Sequence, residues 1–98
     1  MSILIDPEGK EIEALQRLAN WCGAHVLEVG CGDGRLTLRL AHLGAQVVAF
    51  DLKRSLIRKA RRNLPKQFAK QIKYYSGSAG MLKRPAESME VVVFAWSL

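Results

Sequence analysis

"HVLEVGCGDGRLTLRL", residues 25–40, runs from a short apolar segment straight into three glycines that alternate with Cys31 and Asp33, and then into leucines at helical spacing. "HVLEV" reads as a buried strand. Leu36, Leu40 and Leu43 form one face of a helix that Gly44 ends. Gly30, Gly32 and Gly34 therefore fall in the strand-to-helix turn, where one or two glycines would suffice to turn the chain. Three in alternation predict a loop that takes positive φ and brings its backbone close to a ligand that a Cβ would block.

The flanking sequence repeats the strand–helix alternation. "DPEGKEIEALQRLANWCG" has a helix-starting Asp6, Pro7 at the first helical position and Gly23 as a stop, with Ile12, Leu15, Ala19 and Cys22 on one face. "AQVVAFD" is a second buried strand ending in an acid. "RSLIRKARRNLP" is a basic amphipathic helix with Leu56, Ile57 and Ala60 inward, ended before Pro65. "QIKYYSG" and "MEVVVFAW" supply a third and a fourth strand. Helices alternating with strands predict parallel pairing through right-handed crossovers, hence an α/β, Rossmann-like three-layer sandwich with a mostly parallel sheet. The 98 residues make one domain, with a leading helix in 1–23 and a βαβαββ core in 24–98.

Composition narrows the class further. With 49% apolar residues the chain reads as globular rather than disordered. No apolar run approaches the roughly 20 residues of a membrane span, and "MSILIDPEGKE" lacks the features of a secretory signal, so a cytoplasmic location is expected. Cys22 and Cys31, with no CxxC pair and no histidine at ligand spacing, are read as reduced thiols, and no metal site is expected. His25 and His42 stand beside apolar residues as structural side chains. Between Leu52 and Ala86 lie eleven Lys or Arg and no acid. Such a block attracts polyanions, but it is also an ordinary solvated helix face, and the second reading is the favoured one.

Asp51 closes the second strand seventeen residues beyond Gly34. In sheets of this type ligands bind outside the carboxyl ends of the strands, and an acid there accepts hydrogen bonds from both hydroxyls of a ribose. The dinucleotide pattern GxGxxG would need a glycine at position 35, where Arg35 stands. Glu28 and Asp33 add negative charge around the loop, which suits a cation better than a pyrophosphate. S-adenosylmethionine carries an ammonium and a sulfonium in that region and no phosphate.

"LEVGCGDGRLT" resembles motif I of the class I methyltransferases that use S-adenosylmethionine, and "VVAFD" with its basic helix is similar to their second motif. "SGSA" and "ESMEVVVFAWSL" resemble the third motif and the fourth strand, particularly in small-molecule and ubiquinone-biosynthesis members. The resemblance covers residues 7 to 98. It implies that Glu28, Gly30, Cys31, Gly32, Asp33 and Gly34 face the methionine part of the cofactor, that Asp51 binds the ribose and that Leu52 packs on the adenine. It places Ser78 and Ala79 by the adenine amino group, with Ser78 replacing the family's acid, and Phe94 and Ala95 beside the methyl group. It implies S-adenosylhomocysteine as product, a small-molecule acceptor and no catalytic side chain, because a sulfonium methyl needs mainly an aligned nucleophile and exclusion of water.

The family's domain has strand order 3-2-1-4-5-7-6, so the resemblance implies order 3-2-1-4 here and a domain truncated after its fourth strand, weakly active or inactive alone. It also implies that "VVVFAW" forms an open edge through which copies self-associate. Neither the Asn/Asp-Pro-Pro-Tyr run of base amino methyltransferases nor a Pro-Cys pair follows that strand, so base methylation is not expected. Two other readings compete. An NAD(P)-binding fragment would use Lys53 and Arg54 on a 2′-phosphate, which Asp51 would repel. A basic polyanion- or RNA-binding module would use the 52–86 block with Phe68, Tyr74 and Tyr75, but strand alternation turns one tyrosine inward.

Overall fold

Apolar strands buried on both faces need covering layers, and the computed structural model, which describes residues 2–5, 21–78 and 91–95, shows how one of these is built. Its sheet contains β1 (Ser2–Ile5), β2 (His25–Val29), β3 (Gln46–Asp51), β4 (Ile72–Ser76) and β5 (Val91–Ala95). The spatial order is β1-β5-β2-β3-β4, and every pairing is parallel. The four strands expected from the sequence thus stand in the expected order 3-2-1-4. Helix α1 (Arg35–His42) connects β2 to β3, and α2 (Arg54–Arg62) followed by a 3-10 turn at Lys66–Phe68 connects β3 to β4.

The outermost strand corrects the reading of the fourth strand as an open edge. Ser2–Ile5 lies parallel along β5, with Ile3 opposite Val93 and Leu4 opposite Phe94. An apolar edge presents a row of backbone donors and acceptors that need partners, and "SILI" supplies them. The segment is too short for its alternation to stand out in sequence. Self-association through a bare β5 therefore loses its basis. The leading helix expected after Pro7 lies outside the described residues; of the residues that follow, Trp21 is buried, whereas Cys22 is exposed in a turn rather than on a buried face.

Helix α1 packs Leu36, Thr37, Leu40 and Ala41 onto the sheet, and α2 adds Ile57 and Ala60. They meet Val26, Val47, Ala49, Ile72, Tyr74, Val91 and Val93 in one cluster. Leu40 and Ile57 are almost entirely buried, so truncating either to alanine costs about 2–5 kcal/mol. Leu27 and Phe50 anchor a smaller cluster on the other face, with Val29, Val48 and Val92 against it. Because all strands run the same way, the carboxyl ends of β2, β3, β4 and β5 lie along one rim of the sheet.

Candidate functional site

The rim begins at the glycine loop. Gly30, Gly32 and Gly34 all have positive φ, as the alternation predicted. Two of them do so for different reasons. A Cβ on Gly32 would have no atom of the described residues within 4 Å, so this position borders open space among them. A Cβ on Gly34 would collide with the Tyr74 hydroxyl and lie 3.0 Å from its Cζ, so this glycine is required by packing. Gly34 also caps α1 without help from a side chain.

Most of the loop's amides are committed within the protein, which differs from the expectation that they face a ligand. The Gly30 and Cys31 N–H groups both donate to the Phe50 carbonyl, at 2.8 and 3.0 Å, and the Gly34 N–H donates to the Cys31 carbonyl. The Gly32 N–H donates to Asp51 Oδ2 at 2.9 Å, and the Lys53 N–H donates to Oδ1 at 2.8 Å. Asp51 is thereby fixed from both sides while half-buried at the tip of β3. A carboxylate oxygen has two lone pairs, so each still has one acceptor position for a further donor. Two such positions on one rigid carboxylate match the hydroxyls of a vicinal diol.

Glu28 occupies a different environment. It is fully buried, and Thr37 Oγ1 donates to its Oε1 at 2.5 Å, while Oε2 has no hydrogen-bond partner among the described residues. Burial pushes its carboxyl up to about 7; the Thr37 hydrogen bond opposes this and the charge of Asp51 adds to it. Asp33 is half-buried and paired, 3.6 Å from Arg35 Nε and 3.8 Å from Lys59 Nζ. The loop is therefore less bare an anion than the count of its acids implies: one acid is shared with two cations, and the other is partly protonated near neutral pH. Burial, reinforced by Glu28 and Asp51, holds the Cys31 thiol far above its ordinary range, so it is not a thiolate nucleophile.

The remaining residues singled out in the sequence border the same rim. Leu52 follows Asp51 and is 78% exposed. Ser78 is exposed two residues beyond β4, whose last residue pairs with Asp51. Phe94, opposite Val29, is 43% exposed, and Ala95 ends β5. Ala79 lies outside the described residues. Thr37, Tyr74 and Lys59 were not singled out for the site. Thr37 left one signal, a lone hydroxyl on the apolar face of α1. The basic block is also partly occupied: Lys59 holds Asp33, and Arg61 donates through Nη2 and Nε to the Tyr74 carbonyl, at 2.6 and 3.2 Å.

A parallel sheet of this order, with a glycine loop and a strand-tip aspartate on its carboxyl rim, defines a Rossmann-type nucleoside-binding protein. The family model of a methyltransferase domain matches residues 26–98, and the chain belongs to that family. Over 39 residues it is 56% identical to a ubiquinone biosynthesis O-methyltransferase of Xanthomonas campestris pv. campestris, a stretch covering 40% of this chain and 16% of the relative. A solved S-adenosylmethionine-dependent methyltransferase from Mesorhizobium loti shares the fold, with a TM-score of 0.73 at 24% identity over 92% of this chain and 41% of its own. A Haemonchus contortus phosphoethanolamine N-methyltransferase, solved with phosphoethanolamine and S-adenosylhomocysteine, has a TM-score of 0.71 at 27% identity, covering 89% of this chain and 18% of that one. The chain thus spans less than half the length of each of these relatives.

Proposed function

We propose that this chain forms the cofactor-binding part of a methyltransferase that uses S-adenosylmethionine and methylates a small molecule at oxygen. One observation carries the reading. Asp51 is held by the amides of Gly32 and Lys53 with an acceptor position left on each oxygen, beside a glycine α-carbon that faces open space. Family membership supports the reaction type, and the 56% identical stretch shared with the ubiquinone relative supports an oxygen acceptor.

When bound, the cofactor supplies a methyl group already activated by its sulfonium. The chain's own part is to bind and orient. Asp51 takes the ribose hydroxyls, Leu52 offers an apolar wall for the adenine, and Gly32 leaves room where any side chain would intrude. Ser78 would serve the adenine amino group, and Phe94 and Ala95 would border the methyl end. No side chain is assigned to proton transfer. The NAD(P) reading is disfavoured because a 2′-phosphate drawn to Lys53 and Arg54 would sit against Asp51.

Calorimetric titration of the whole chain with S-adenosylhomocysteine, NADH and NADPH tests this. Binding of S-adenosylhomocysteine alone, lost in Asp51→Ala, is the expected result. Preference for NADPH, or binding indifferent to Asp51, would overturn it.

A further inference from the structure

The face of the sheet turned away from α1 and α2 changes character along its length. Alternation puts His25 and Leu27 of β2 on that face, with Gln46, Val48 and Phe50 of β3 and Lys73 of β4. Toward the carboxyl rim the set is apolar, and Leu27 and Phe50 are buried. At the amino end it is polar: His25 is in register with Gln46, and Lys73 stands opposite Val48. Lys70 joins them from the turn that leads into β4. Together with Val48 and Gln71 these residues line a pocket of about 120 Å³. Gln71 is a fixed part of that lining, because its Nε2 donates to the Ala41 and Ala45 carbonyls, each at 3.1 Å.

The charge at this end is one-sided. The described carboxylates, Glu28, Asp33 and Asp51, belong to the glycine-loop end of the strands. Gln46 opens β3 and Asp51 closes it, so the two ends stand roughly 16 Å apart. Elsewhere in the basic block cations are engaged, Lys59 by Asp33 and Arg61 by the Tyr74 carbonyl. Among the described residues no carboxylate pairs with Lys70 or Lys73. Two ammonium groups lining one small concavity repel each other, and an anion between them converts that repulsion into attraction.

We propose that this pocket is a binding site for a phosphate group, held by the Lys70 and Lys73 ammonium groups with the Gln46 amide as a further donor. A phosphate offers a charge approaching −2 and several strong acceptor oxygens to such donors. The pocket is smaller than the roughly 300–1,000 Å³ that encloses a whole drug-sized ligand, so it admits the phosphate and leaves the rest of any larger molecule outside. The site is independent of the cofactor reading, since no residue of the carboxyl rim takes part in it.

Amide-resolved NMR titration of the whole chain at constant ionic strength tests this, with inorganic phosphate, methyl phosphate and chloride as ligands. Phosphate should shift the amides of residues 46–48 and 71–73 saturably at millimolar concentration. Lys70→Gln and Lys73→Gln should each weaken binding about fivefold, and the two together at least tenfold. Arg54→Gln removes the same charge at the rim end of α2 and should leave the affinity within about 1.5-fold. Methyl phosphate separates the sources. Comparable binding supports the phosphate end of a larger molecule as the ligand, and exclusion of methyl phosphate alone supports the free ion. Shifts reproduced by chloride, or a loss in Arg54→Gln equal to that in Lys73→Gln, would overturn the site and leave a basic surface. A single-stranded oligonucleotide that binds far more tightly than methyl phosphate, and is weakened equally by all three variants, would overturn it in favour of diffuse polyanion attraction. A folded chain whose pocket amides do not move with phosphate would refute it outright.

Discussion

Glu28 and Asp51 stand on neighbouring strands beside one loop, yet the sheet gives them opposite environments. Glu28 is in register with Ala49, two residues before Asp51. At about 3.3 Å per residue Asp51 lies roughly 6–7 Å farther toward the rim. Both side chains point to the helix-covered face, so that offset decides their chemistry. Glu28 is roofed by α1 and bonded through one oxygen to a side chain, whereas Asp51 clears the helix and is held by backbone amides. The inner acid is adjusted by burial and the outer one presented by geometry.

The comparison breaks most visibly at the outer acid. Asp51→Ala would remove the two hydrogen bonds proposed for the ligand's diol, and it unties the Gly32 amide. Hydrogen bonds to a charged group contribute about 2 kcal/mol each, so S-adenosylhomocysteine affinity should fall about a thousandfold in a calorimetric titration. A loss below tenfold would mean that Asp51 serves the loop and not the ligand.

The inner acid should show itself in folding. Its carboxyl midpoint is raised from 4.5 to about 7, so between those values the folded chain binds a proton that the unfolded chain has lost. Stability from this group is therefore fully present below about pH 4.5, falls as pH rises, and is lost above about 7. The expected decline is up to about 3 kcal/mol, read by urea unfolding across that window. Glu28→Gln should flatten it, and an unchanged slope in that variant would assign the decline to other groups.

How much of this was legible in the sequence follows from the range of the forces involved. The glycine alternation, the strand tip at Asp51 and the inward faces of α1 and α2 are local patterns of period 2 or 3.6, and the structure repeats them. What escaped depends on contacts between distant segments. The pairing of Ser2–Ile5 with β5 joins residues about ninety positions apart, and four residues carry too little pattern to announce it. Glu28 was legible as an acid by the loop, but its burial was not, because the roof over it comes from the way α1 lies across the sheet. The countercharges on Asp33 were hidden likewise: Arg35 is a sequence neighbour, but Lys59 arrives from α2.

Two glycines of the loop sharpen the contrast between building and binding. Gly34→Ala places a methyl against the Tyr74 phenol at φ +92, and should destabilise the fold by about 2 kcal/mol through strain and overlap. Tyr74→Phe in the same chain should recover only part of that, because the ring carbon at 3.0 Å remains. Gly32→Ala, at φ +59 with nothing within 4 Å, should cost about 1 kcal/mol of stability, while ligand affinity falls at least tenfold. Equal stability losses with unaffected binding would show that both positions only shape the turn.

The smallest effect is expected where the loop meets the basic helix. Lys59 is more than half exposed and 3.8 Å from Asp33, so Lys59→Ala should change stability by no more than about 0.5 kcal/mol at low salt, and by nothing measurable at high salt. Its consequence for binding has the opposite sign. Removing a cation beside the loop makes the loop more negative, so a cationic ligand should bind slightly tighter, about twofold, and that gain should also vanish with salt. Asp33→Asn reverses the change in charge and should weaken binding by a similar factor. Opposite, salt-sensitive shifts from two sides of one ion pair would establish that the loop's net charge, and not the pair as a contact, is what the ligand senses. Shifts of the same sign would point to the pair as a brace for the loop.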